Sequence, residues 1–116
     1  MDRKIFEENF KTASNIVKKE KMDKIISEAL TPLEENYTGT KNLVIVMEEF
    51  MEAGQEVSKY IRGKGDIISL TEELADAYLS IKYVQKICNI SDENLNKAIN
   101  VKLDREKNRT IPKEEN

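Results

Sequence analysis

The sequence predicts an all-α protein, an antiparallel bundle of about four helices. Apolar residues recur every three or four positions along most of the chain. Capping signals punctuate it, with Ser or Thr followed three residues later by Glu. Strand-like alternation is absent, and only 4 Gly and 2 Pro interrupt 116 residues. Charged residues make up 35% of the chain in mixed signs, aromatics 6%, and Trp is absent, a profile of helical proteins in water. One domain over residues 1–110, followed by a flexible tail at 111–116, accounts for this length.

The first segment, Arg3 to Leu30, carries Ile5, Phe6, Phe10, Ala13, Ile16 and Val17, then Ile25, Ile26, Ala29 and Leu30 at helical spacing. The polar run Lys18 to Lys21 is either a solvated stretch of one helix or a break in it. Glu7 and Lys11 form an i,i+4 pair in the favourable orientation. Thr31-Pro32-Leu33-Glu34 reads as the start of a short separate helical turn, with Pro at the first position. Asn36 to Thr40 reads as a loop.

A second long helix is expected from about Thr40 to Arg62. Its Leu43 to Met47 stretch is apolar on all sides, which calls for burial on all sides and hence a partner subunit. Gly63 suits the left-handed position after that helix, and Gly63 to Asp66 makes a short connection. A third helix is expected to open at the Ser69-Leu70-Thr71-Glu72 capping box and reach Cys88. Cys88 is expected to be a small buried residue. Ser91 caps a fourth helix with Asp92 and Glu93 in its first turn. Its apolar stripe is Leu95, Ala98, Ile99, Val101 and Leu103.

Several classes are excluded or disfavoured. A net charge of −3 argues against nucleic acid as a partner. No stretch is apolar enough for a membrane span, and Met1 to Phe10 lacks the apolar core of a leader, so a cytoplasmic setting is expected. With no His, the Glu-x-x-His motifs of di-iron bundles cannot form. The GxxxxGK[ST] spacing of a P-loop is missing too.

The chemistry lies in two acidic clusters. Glu49 and Glu52 are three apart on the second helix, with Glu48 beside them and Glu56 a turn beyond; Glu73 and Asp76 are three apart on the third. Antiparallel packing of these two helices would bring the carboxylates toward one another. Like charges in a partly dry site must protonate, splay into water or bind divalent cations. Without His and with one Cys, an all-oxygen site suits Mg²⁺, with Mn²⁺ as an alternative. Basic residues follow: Lys59, Arg62 and Lys64, then Lys102, Arg105, Lys107 and Arg109. They read either as a solvated face or as phosphate contacts.

The pattern of Glu48, Glu49 and Glu52, a linker, then Glu73 and Asp76 resembles the all-α nucleoside triphosphate pyrophosphohydrolases, the MazG-like superfamily that includes the dimeric dUTPases. The stretches VMEEFMEAGQEVSKYIRGKGD, LTEELADAYLSIKYV and NVKLDREKNR are similar to the motif helices and closing segment of that group. The likeness spans about Asn42 to Arg109. It implies hydrolysis of an NTP or dNTP to the monophosphate and pyrophosphate in nucleotide-pool house-cleaning. It implies Mg²⁺ on Glu49, Glu52, Glu73 and Asp76, with Glu48 as a further ligand or the group that orients and deprotonates water. Lys59, Lys102 and Arg105 would contact phosphate, with Arg62 and Arg109 as weaker candidates. Tyr78, Tyr83 and Phe50 are either core or stacking partners for a base. A homodimer or homotetramer is implied. The competing reading is a non-catalytic helical interaction module that keeps the fold.

Overall fold

The structure, a computed structural model, describes residues 2–13, 19–36 and 39–110. Five helices run through them: α1 (Arg3–Thr12), α2 (Lys19–Asn36), α3 (Gly39–Ile61), α4 (Ile67–Cys88) and α5 (Asp92–Thr110). The described residues contain no strand.

The long helix expected over Arg3 to Leu30 is two helices. Asp2 caps α1, its carboxylate accepting from the Lys4 and Ile5 amides at 2.8 and 3.3 Å. Ala13 then turns extended (φ −67°, ψ 127°) and ends it. Expectations for Ile16, Val17 and the 111–116 tail lie outside the described residues. The separate turn expected at Thr31 is part of α2, which runs on to Asn36. Pro32 has no amide hydrogen, so α2 crosses it at the cost of one intrahelical bond. The helical run through Ala29 and Leu30 already carries the backbone into that position.

The α3–α4 connection is built by local chemistry. Gly63 adopts φ 72°. Its amide donates to the Tyr60 carbonyl at 3.0 Å and the Lys64 amide to the Lys59 carbonyl at 2.8 Å, which closes α3 with a Schellman motif. At Gly65 an added Cβ would stand 3.2 Å from the Lys59 Cβ and the Tyr60 nitrogen, so the chain can turn back this tightly only without a side chain there. The α4 cap is Asp66, three residues earlier than expected. Its carboxylate accepts from the Ser69 amide at 2.8 Å and the Ser69 hydroxyl at 2.9 Å. Asn89, left-handed at φ 57°, ends α4, and the Ile90 amide donates back to the Gln85 carbonyl at 2.9 Å. Ser91 caps α5 as expected, accepting from the Asn94 amide at 3.1 Å.

Packing centres on α4. Helix α3 covers it most extensively, α2 less, and α1 through a few contacts, whereas α5 is in no extensively packed pair. The radius of gyration is 16.9 Å, against about 13 Å for a compact domain of this length. The apolar core is correspondingly thin: Ile26, Val46 and Ala53 are the buried apolar residues among those described. Leu43 to Met47 is covered on one side only, with Val46 5% exposed and Met47 59% exposed. The predicted α5 stripe is open to solvent apart from half-buried Leu95. Cys88, the last residue of α4, is exposed rather than buried.

Candidate metal centre

The α3 helix carries Glu49 and Glu52 on one face because three residues make nearly one turn. The fold-back at Gly63 to Asp66 sets α4 beside that face and brings Glu73 to it. Glu49, Glu52 and Glu73 each offer a carboxylate oxygen, and these three oxygens lie within 4.8 Å of one another. Glu73 is buried, Glu49 half-buried and Glu52 exposed. Asp76, half-buried a turn beyond Glu73, bears electrostatically on both Glu49 and Glu73. Glu48 is exposed and adds its charge to the field at Glu49.

The electrostatics are those of an under-neutralised site. Burial pushes the Glu49 carboxyl above its usual range, and the charges of Glu52, Asp76 and Glu48 push it further. Burial likewise raises Glu73, followed by Asp76 and Glu52; the opposing pull of Arg3 is too small to reverse this.

Arg3 and Glu72 are the site-adjacent residues that the sequence did not disclose. The Arg3 guanidinium lies across two consecutive carboxylates, its Nε 2.5 Å from Glu72 Oε1 and its Nη2 3.0 Å from Glu73 Oε2. Glu72 was expected to close a capping box with Ser69; it is buried and faces Arg3 instead. Glu73 Oε1 is buried, with no hydrogen-bond partner among the described residues. An orphaned carboxylate oxygen within an all-oxygen donor set fits a hard divalent cation such as Mg²⁺ or Mn²⁺.

The basic residues are placed differently. Lys59 is on α3, two turns from Glu52, and pairs with Glu56 at 3.2 Å. Lys102 and Arg105 are exposed on α5, which packs extensively on neither α3 nor α4. Arg62 donates from Nε to the Ser58 carbonyl at 3.3 Å, and Arg109 pairs with Glu106 at 2.6 Å. Phe50 is exposed, and Tyr83 is half-buried. Half-buried Tyr78 donates its hydroxyl to Asp23 of α2.

A second polar junction lies at the far end of α4. Lys82 stands 3.7 Å from Asp23 and 3.4 Å from Asp92, and Gln85 Nε2 donates to Asp92 at 2.8 Å. The Gln85 hydrogen bond, then Lys82, holds the Asp92 carboxyl below its usual range. These side chains line a polar cavity of about 250 Å³ between α2, α4 and the start of α5.

Comparison with known protein families, with curated proteins and with solved structures finds no match for this chain.

Proposed function

We propose that this chain is a Mg²⁺-dependent nucleoside triphosphate pyrophosphohydrolase that cleaves (d)NTP to (d)NMP and pyrophosphate, in nucleotide-pool house-cleaning. The observation that carries this reading is the convergence of Glu49 and Glu52 of α3 with Glu73 of α4. Their repulsion, with Asp76 close by, is relieved by a divalent cation. That cation would neutralise phosphate oxygens and polarise the anhydride. Glu49, Glu52 and Glu73 would hold it, with Asp76 as the fourth carboxylate. Exposed Glu48 is free to orient a water and take its proton. Lys59 would meet the phosphates from α3. Lys102 and Arg105, on a helix that packs extensively on neither acidic helix, are assigned to the same role in an assembly of copies.

The assembly we propose is a homodimer or homotetramer. Val44, Ile45, Met47, Phe50 and Met51 form an apolar stretch of α3 left exposed by the described residues. Among the described residues no helix is long and apolar enough to cross a membrane. The occupant we propose for that surface is a second copy. The same surface supports the second reading, a non-catalytic interaction module. Incubation with a panel of NTPs and dNTPs in Mg²⁺ separates the two. Monophosphate and pyrophosphate are the expected products. Orthophosphate release, or no turnover across the panel, rejects the enzymatic reading. Sedimentation as a monomer rejects the assembly.

A further inference from the structure

We propose that Arg3 is a positioning residue for the metal centre, holding Glu73 by one oxygen and leaving the other to a divalent cation shared with Glu49 and Glu52. The inference rests on the metal reading above and extends it to a residue of α1, 70 positions away from Glu73.

Glu73 is buried at 9% exposure, on a helix that also buries Glu72 next to it and carries Asp76 a turn later. A buried carboxylate among like charges has no reason to stay there unless a cation holds it. Arg3 supplies one. Its planar fork spans Glu72 and Glu73 together, a geometry that a point-charge ammonium does not reproduce. The guanidinium takes Glu73 Oε2, whereas Oε1 stays buried and without a donor. One lobe of the carboxylate is therefore fixed, and the other is claimed by no donor among the described residues. Metal-binding carboxylates are commonly oriented in this way by an outer hydrogen bond.

The rest of α1 supports this division of labour. Asp2 caps the helix and places Arg3 at its first position. No residue of α1 is fully buried: Ile5 and Phe10 are exposed and Phe6 is half-buried. The polar contact that α1 makes with α4 is a guanidinium directed at the acidic cluster.

The test is a Mn²⁺ titration of the full chain, followed by calorimetry or by the spin resonance of free Mn²⁺. It compares the unchanged protein with Arg3→Lys and Arg3→Gln, and the melting temperature of each is also recorded without metal. Arg3→Gln is expected to weaken Mn²⁺ binding about 10- to 100-fold, the usual effect of losing an outer partner, with Arg3→Lys between it and the unchanged protein. A purely structural role would lower the metal-free melting temperature and leave the affinity of the folded protein unchanged; that result overturns the proposal. So does tighter binding in Arg3→Gln, which would make the guanidinium a competitor of the metal. If Arg3→Gln does not fold, Arg3→Lys decides alone, and affinity equal to the unchanged protein overturns the proposal. Absence of Mn²⁺ binding in the unchanged protein overturns both this inference and the metal reading. Binding that no Arg3 substitution alters overturns this inference only.

Discussion

Helix α4 carries a polar junction at each end, and the two are opposite in electrostatic character. Near its start, Glu73 meets Glu49 and Glu52 of α3, with the Asp76 charge close by, and among the described residues Arg3 pairs with Glu72 and Glu73. Glu49 and Glu73 are consequently pushed toward the protonated form. Near its end, Lys82 stands between Asp23 and Asp92, Gln85 adds a hydrogen bond, and Asp92 is pulled toward the ionised form. Matched charges make a clamp that joins α2, α4 and α5. Carboxylates in excess over the guanidinium paired with two of them make the junction for which we propose a cation. Net balance, rather than the number of charged groups, separates the structural junction from the one suited to chemistry.

The largest expected effect breaks the unmatched site. Glu49→Gln or Glu73→Gln should abolish the rise in melting temperature caused by Mg²⁺. Either should also lower pyrophosphate release by at least the roughly 10- to 100-fold typical of outer metal-site partners. A Mg²⁺-induced shift that survives both substitutions would make the acidic junction as inert as the other one.

Next comes pH. The folded-state carboxyls of Glu49 and Glu73 titrate above their unfolded values, so below the unfolded range both states are protonated and there is no penalty. As pH rises through the folded values, ionisation of these groups destabilises the metal-free protein. Mg²⁺ should therefore raise the melting temperature at neutral pH and have progressively less effect as pH falls through the carboxylate range. Asp92 has the opposite sign: its contribution is present above its unfolded value and is lost as pH falls through the folded one. Melting curves across pH, with Mg²⁺ and with EDTA, check both signs.

A smaller effect is expected at the matched junction. Lys82→Met leaves Asp23 and Asp92 without their shared cation and should cost about 1–2 kcal/mol in urea unfolding. It should leave the Mg²⁺-induced shift intact. The smallest change is Asp92→Asn. That side chain is 63% exposed and keeps a hydrogen-bond acceptor for Gln85, so the expected cost is under about 1 kcal/mol. A larger loss would show the clamp to be tighter than its exposure implies.

Signals spanning a turn or so of chain were legible. The left-handed Gly63, the Ser91 cap, the Glu7–Lys11 pair at 3.6 Å, the extent of α3 and the end of α4 all follow from residues close in sequence. The three-residue spacing within each acidic pair is of the same kind. Where two local signals competed, the sequence did not choose between them. Ser69 and Asp66 are both good caps, and Asp66 wins because its carboxylate can accept from both the amide and the hydroxyl of Ser69. Asn89 was a further local signal that sequence reasoning passed over, since Asn tolerates the left-handed region that ends α4.

The sequence by itself thus determined α3, α4 and α5, most of their ends and the facing of the paired carboxylates, because each of these is settled within a turn or two of backbone. Only the tertiary structure decided which acids are buried, that Glu73 meets Glu49 and Glu52, and that Arg3 closes over Glu72 and Glu73. It also decided that α5 stands uncovered. Those outcomes depend on which helix faces meet, and contacts across tens of residues leave no periodicity in the chain from which to read them.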